Sequence, residues 1–335
     1  MSQIYEAELQ TAIEAVRKAS QICRSVQGRI DGEKMDKADR SPVTIADYAS
    51  QAIICSTIRA SFPEELIVAE EDARDLRTGE CSPFLDQIVE ELKAVEESPT
   101  AEQTLDWIDF GNHSGGTSRF WTLDPIDGTK GFLRKEQYAI SLALIVDGEI
   151  QVAALACPNL RATDAWDNAR GVIFTAVRGM GARLCPLDLP DVTPHSVRVS
   201  GTRTASAARM CESVESGHSS HDWSSRILSA IGSTSEAVRL DSQAKYGVLA
   251  RGEADVYLRL PVRKDYSEKI WDHAGGVLVV EEAGGKVTDI DGNPLDFSLG
   301  TTLKSNRGVV ATNGLLHDGI LAAVQSSSEA PTAEA

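Results

Sequence analysis

Apolar residues Ile4, Leu9, Ile13, Val16, Ile22 and Val26 recur at near-helical spacing and predict a long first helix over residues 3–27. The polar stretch GRIDGEKMDKADRSP then predicts a loop closed by Ser41-Pro42. VTIADYASQAIICSTIRASF predicts a short strand leading into a helix that Phe62-Pro63 ends. LIVAEE is a short apolar run stopping on two glutamates, residues 72–104 predict a helix with polar flanks, and GNHSGGTS predicts a loop.

FWTLD predicts a strand, and YAISLALIVDGEIQVAALACP a β-hairpin turning at Asp147-Gly148. GVIFTAVRGMGARL predicts another strand pair. After residue 196 the pattern becomes alternating. VRVSG, SEAVRLD and ADVYLRLP predict strands; DWSSRILSAIG, YGVLARGE and KIWDHAGGVLVVEEAG predict helices; KVTDIDGNPL predicts a hairpin. The tail QSSSEAPTAEA is small and polar, the composition of disorder. The pattern divides into an α+β domain over 1–165, an α/β domain over 166–325 and a tail over 326–335. No repeat is visible.

Composition narrows the class. The chain has 335 residues, 42% of them hydrophobic and 25% charged, as in an ordinary globular protein. No run approaches the roughly 18 apolar residues of a membrane span, and the amphipathic start is not a signal peptide. Six cysteines without CxxC spacing argue against a zinc site and for a reducing, cytoplasmic setting. A net charge of −17 argues against binding a nucleic-acid polymer, which relies on neutralising phosphates. Acidic residues crowd Glu64 to Asp106, the composition of a solvated surface. Between Lys245 and Lys269 basic residues outnumber acidic ones, so that region can accept an anion.

The candidate chemistry starts at WTLDPIDGTKGF, residues 121–132. Proline restrains both itself and the residue before it, so the Asp124 carboxylate is held. Asp124, Asp127 and the Ile126 carbonyl form a hard oxygen set suited to Mg²⁺. Asp-Pro and Asp-Gly are also ordinary turn vocabulary, and both readings stay open on these residues alone. The Asp-x-x-Asp spacing excludes the DxDGT-like loop of haloacid-dehalogenase-type phosphatases, whose nucleophile stands two positions before its second aspartate. Glu70 and Glu71 end their apolar run. Asp272, taken alone, reads as a helix N-cap, and Asp47 has the same ambiguity.

Together, WTLDPIDGT (121–129), AEE (69–71) and WDHAGG (271–276) resemble the lithium-sensitive, magnesium-dependent phosphatase superfamily that includes inositol monophosphatase and fructose-1,6-bisphosphatase. SPVTIADYASQ, RFWTLDPIDGTKGFLRKEQYAISLALIVDGEIQVAALACPNL, GHSSHD, LDSQAKYGVLARGEADVYLRLP and EKIWDHAGG are similar to the fungal and plant 3′(2′),5′-bisphosphate nucleotidases. The likeness runs from about residue 5 to residue 325. Lys130-Gly131 stands where inositol monophosphatases typically read Thr-Asn, which tilts the choice toward a nucleotide. Ala69 and Gly275 stand where relatives often have Gly and Ala, and neither is a ligand.

The resemblance implies an inositol monophosphatase-like fold layered α/β/α/β/α. It implies Glu70, Asp124, the Ile126 carbonyl, Asp127 and Asp272 as ligands for two to three Mg²⁺ ions. Asp47 and Thr129 would orient and deprotonate the attacking water. Thr129, His221, Ser242, Lys245, Arg259 and Asp272 would contact the nucleotide, with His218 as the alternative to His221. The implied activity is removal of the 3′-phosphate from adenosine 3′,5′-bisphosphate (PAP), giving AMP, and from 3′-phosphoadenosine 5′-phosphosulfate (PAPS). This links the chain to sulfate assimilation, with inhibition by Li⁺ and Na⁺. A monomer with small-molecule partners, and neither a membrane nor a nucleic-acid polymer, is expected. The alternatives are an inositol monophosphatase or inositol polyphosphate 1-phosphatase activity, and a non-catalytic nucleotide or ion sensor.

Overall fold

The computed structural model describes residues 5–30, 41–78, 82–162, 166, 169–214, 221–233, 235, 237–263 and 266–327. Most of the expected loop before Ser41, the end of the tail and His218 lie outside these residues. The first helix, α1 (Glu6–Arg29), buries Ala12, Ala15, Val16, Ala19, Ile22, Cys23 and Val26 along one stripe. The second, α2 (Ser41–Ser61), is helical throughout, so the expected strand before it does not form. Ser41-Pro42 opens this helix instead of closing a loop, because a proline's missing N–H costs nothing in a first turn.

The single helix expected over 72–104 is three: α3 (Arg74–Arg77), α4 (Ser82–Leu92) and α5 (Ala101–Asp109). The break before α5 has a local cause. Ser98 takes a left-handed φ of 50° ahead of Pro99, and Thr100 then starts a new helix. The Gln103 N–H donates to the Thr100 hydroxyl at 3.2 Å, and Gln103 Oε1 accepts the Thr100 N–H at 3.0 Å.

A seven-stranded sheet carries β1 (Ile67–Ala69), β2 (Arg119–Asp127), β3 (Ala139–Val146), β4 (Glu149–Arg161), β5 (Arg170–Val177), β6 (Ala182–Pro186) and β7 (His195–Ser196) in that order. Only β1 and β2 run parallel. Alternation sorts its side chains onto two dry faces. Trp121, Leu123, Leu142 and Ala154 face α1 and α2, whereas Phe120, Ala143, Leu155 and Phe174 face the opposite way. Burial on both faces explains why the hairpin strands read as unbroken apolar runs. VRVSG does not form the expected strand. After β7 the Val199 N–H instead donates to the Ala283 carbonyl at 3.1 Å, diverting the chain along a helix edge.

The chain then builds a five-stranded sheet from β8 (Met210–Glu212), β9 (Val238–Arg239), β10 (Val256–Arg259), β11 (Lys286–Thr288) and β12 (Val309–Thr312), ordered β11-β12-β10-β8-β9. The hairpin expected from KVTDIDGNPL is not local: β11 pairs with β12, and Asp289 Oδ1 turns the intervening chain by accepting the Asp291 and Asn293 N–H groups. The remaining helices are α6 (Thr129–Leu133), α7 (His221–Ala230), α8 (Ala244–Ala250), α9 (Ala274–Glu282) and α10 (His317–Ser326). Helices α8 and α9 lie between the sheets, and α7 and α10 cover the outer face of the second. The layers therefore run α/β/α/β/α, with the first sheet continuing past residue 165 to Ser196. Among the described residues no helix is long and apolar enough to cross a membrane.

Gly276 lets α9 sit against α8. A Cβ there would stand 2.2 Å from Cδ2 of Tyr246, which is fully buried. Gly276→Ala is expected to lose about 1–3 kcal/mol through overpacking, despite the roughly 1 kcal/mol that alanine gains in helix propensity. Urea unfolding measures this; an unchanged midpoint would mean that α9 shifts freely.

Candidate active site

The end of β2 is where the sheet departs from regular pairing. Asp124 lies opposite Ser141 and Asp127 opposite Ala139, so three steps on β2 span two on β3. Residues three apart on a regular strand point to opposite faces, and this bulge lets Asp124 and Asp127 line one cleft. Proline stands inside the irregular segment, where it has no ladder N–H to lose. The Pro125 carbonyl is held by the Ser50 hydroxyl of α2 at 2.9 Å.

One helical turn of α2 organises the neighbouring acidic segment as well. Gln51 Nε2 donates to the Glu71 carbonyl at 2.6 Å and to the Ile108 carbonyl at 3.0 Å, and its Oε1 accepts the Glu71 N–H at 3.0 Å. This presents Glu70 to the cleft. Asp47 sits on the same helix one turn earlier, buried, and feels the charges of Glu71 and Glu70.

The cleft has a volume of about 590 Å³. Glu70, Asp124, Asp127 and Asp272 line it from three separate segments. Burial, then Glu70, Asp127 and Asp272, pushes Asp124 well above the ordinary carboxylate range. Burial, then Asp127 and Glu70, does the same to Asp272, with Arg259 opposing. Asp47 is raised by burial and then by Glu71 and Glu70. Glu70 stands exposed at the mouth. Surrounding protein, then Glu71 and Asp127, pushes it up to about 7, an effect that solvent partly screens.

The opposite wall is cationic. Ser242 takes a left-handed φ of 67°, and its hydroxyl accepts the Ala244 N–H at 3.1 Å. Lys245 is buried and donates to the carbonyls of Ser242 at 2.7 Å and Leu240 at 3.2 Å. Its ammonium also lies 5.3 Å from the centre of the Tyr257 ring. Burial lowers its pKa, while Asp127 works to raise it. Arg259 Nε donates to Glu268 Oε1 at 3.2 Å.

A model of the family described as "Inositol monophosphatase family" matches residues 4–329. The chain belongs to the inositol monophosphatase family. A protein of Emericella nidulans named 3′(2′),5′-bisphosphate nucleotidase is 43% identical over 345 residues, covering 96% of this chain and 98% of its own. A protein of Schizosaccharomyces pombe with the same name is 43% identical over 344 residues, covering 98% of each chain. Among solved structures, an inositol monophosphatase from Zymomonas mobilis superposes with a TM-score of 0.64 at 18% identity, covering 97% of this chain and all of its own.

Of the residues singled out in the sequence, Glu70, Asp124, Ile126, Asp127, Thr129, Ser242, Lys245, Arg259 and Asp272 line the cleft of this family member together. Asp47 is buried and is not among the residues lining the cleft. His221 opens α7 and is not among the described lining; its side chain, like His218, lies outside the described residues. Asp272 does not cap α9. The helix starts at Ala274 after His273, which leaves the Asp272 carboxylate to the cleft. Gly131 answers to packing: a Cβ there would stand 2.1 Å from the Gln137 carbonyl oxygen.

Sequence reading missed Ser50 and Gln51, whose only signal is a polar pair inside an apolar helix, three and four residues after Asp47. It also missed Gln243, whose N–H donates to Asp127 Oδ2. The Gln243 side chain accepts from Ser141 at 3.0 Å and donates to the Trp271 carbonyl at 2.9 Å.

The donor set fits a hard divalent cation. Asp124 Oδ1 is buried with no hydrogen-bond partner among the described residues, and the clustered donors are carboxylate oxygens. Glu268, Asp272 and His273 also bring ligand atoms within 4.8 Å of one another. Two of these are already engaged, since His273 contacts Tyr246 at 2.8 Å and Glu268 at 3.3 Å. Although burial opposes it, the His273 hydrogen bond and Arg259 bring Glu268 down to about 2.

A stability profile tests the cluster. Carboxylates whose folded pKa is raised bind extra protons in the folded state, so their stabilising contribution is complete below the ordinary value and lost as pH rises through the raised one. For Glu70 that window runs from 4.5 to about 7. In EDTA the unfolding temperature should therefore fall between about pH 5 and pH 7.5, and added Mg²⁺ should raise it more at the higher pH. A flat profile with no Mg²⁺ effect would contradict the crowding.

Proposed function

We propose that the protein is a Mg²⁺-dependent phosphatase that hydrolyses the 3′-phosphate of adenosine 3′,5′-bisphosphate to give AMP, and that also accepts 3′-phosphoadenosine 5′-phosphosulfate. The observation that carries this reading is the convergence of Glu70, Asp124, Asp127 and Asp272 opposite Lys245 and Arg259 in a single cleft. Relatives named 3′(2′),5′-bisphosphate nucleotidase over nearly their whole length support the choice of a nucleotide.

Glu70, Asp124, the Ile126 carbonyl, Asp127 and Asp272 would hold two to three Mg²⁺ ions. When bound, Mg²⁺ supplies charge that neutralises phosphoryl oxygens and makes water more acidic. Asp47 would take the proton of the attacking water. Thr129, exposed at the start of α6, would orient that water. Lys245 and Arg259 would recognise the second phosphate, which is bound and not cleaved, with Ser242 as a further partner. Glu268 presents the Arg259 guanidinium, and His273 and Tyr246 extend that support. Inhibition by Li⁺ and Na⁺ belongs to the same reading.

The deciding assay is phosphate release from adenosine 3′,5′-bisphosphate, with turnover expected in Mg²⁺ and none in EDTA. No turnover in either would sink the enzyme reading. A kcat/KM more than about tenfold higher on inositol phosphates would move the assignment to inositol phosphate hydrolysis. Asp47→Asn is expected to lower kcat by about 10²–10⁴-fold while leaving nucleotide affinity within a few fold. A kcat close to that of the unaltered protein would remove Asp47 from proton transfer.

A further inference from the structure

A second cavity, of about 510 Å³, meets the cleft at Asp241, which lines both. Its wall carries Lys135, Arg161, Arg170, Arg239 and Arg251. The two carboxylates on that wall, Glu136 and Asp241, are both engaged by Arg134, whose Nε donates to Glu136 Oε2 and whose Nη2 donates to Asp241 Oδ2, each at 2.6 Å. Arg239 is paired with Glu212 at 2.9 Å. Among the described residues the side chains of Lys135, Arg161 and Arg170 meet no carboxylate. In a chain of net charge −17, this hollow is a local reversal of sign.

One cation of this wall is fixed from beneath: the Arg251 side chain is 8% exposed, pairs with Glu253 at 2.6 Å and donates to the Arg161 carbonyl at 2.7 Å. Guanidinium forks match phosphate oxygens. The volume exceeds what one inorganic ion fills and lies within the roughly 300–1,000 Å³ of small-molecule sites.

We propose that this cavity is a separate binding site for a phosphorylated small molecule of sugar-phosphate size. Arg161, Arg170 and Lys135 grip the phosphate, and the rest of the molecule fills the remaining volume. The site adjoins the active cleft through the segment Leu240–Asp241, which runs directly into Ser242. It holds its ligand without transforming it and does not depend on nucleotide turnover.

Calorimetric titration of the full chain with ribose 5-phosphate in EDTA tests this without metal or catalysis. Binding is expected in the unaltered protein. It should weaken at least about tenfold in Arg161→Gln with Arg170→Gln, and also weaken in Lys135→Gln, while staying within about twofold in Arg259→Ala. All three altered cavity residues are exposed, so the unfolding temperature should hold. Inorganic phosphate should bind more than about tenfold more weakly, and equal affinity would overturn the sugar-phosphate-sized class. No binding up to about 10 mM, or binding lost in Arg259→Ala and intact in the double variant, would overturn the site.

Discussion

Carboxylates repel one another, and the first half of the chain is arranged to hold several of them together regardless. Asp124 is 1% exposed, and Glu70, Asp127 and Asp272 all raise or are raised by their neighbours. Such a cluster stays in place only if the backbone beneath it is tied down independently. Helix α2 supplies that tie: Ser50 binds the carbonyl of the bulge, and Gln51 binds both backbone groups of Glu71. These buried polar side chains are fully engaged, which is the condition under which a polar network strengthens a core. The Asp124 Oδ1 is the exception, buried with no hydrogen-bond partner among the described residues.

The second half of the chain contributes charge of the opposite sign and closes the cleft. Gln243 joins three parts of the molecule by bonding Asp127 at the end of β2, Ser141 on β3 and the Trp271 carbonyl before α9. Its neighbours Ser242 and Lys245 are thereby set at a defined distance from the acidic wall. Arg259 keeps its charge inside the fold because Glu268 is held ionised against it. Glu70, Asp124 and Asp127 thus come from β2 and the end of β1, whereas Asp272, Lys245 and Arg259 come from later segments, so the cleft exists only where the two halves meet.

Within the chain, the local chemistry was the most legible part. The apolar spacing of α1, the strand at FWTLD, the Asp147-Gly148 hairpin and the paired aspartates around Pro125 all follow from nearest-neighbour rules. The errors came from a distant partner or from an unrecognised local cap. VTIADYAS alternates enough to pass for a strand, yet its apolar and polar faces serve a helix lying on the sheet. Residues 72–104 show no break as strong as Ser98-Pro99 until the Thr100 capping box is recognised. KVTDIDGNPL has the turn of a hairpin, but β11 finds its partner in β12.

Sequence alone determined the kinds of donor available: hard oxygens at Glu70, Asp124, Asp127 and Asp272, cations at Lys245 and Arg259, and no paired cysteine ligands. These are properties of side chains and short spacings, and they survive any fold. Only the tertiary structure decided that these groups share one cleft, that Asp124 and Asp127 face the same way, and that Asp272 is free of its helix. Those facts depend on a two-against-three register between β2 and β3, and on contacts between residues more than a hundred positions apart, such as Gln243 with Asp127. The sign of the second cavity was equally hidden, because Arg134 neutralises not only its neighbour Glu136 but also Asp241, 107 positions away.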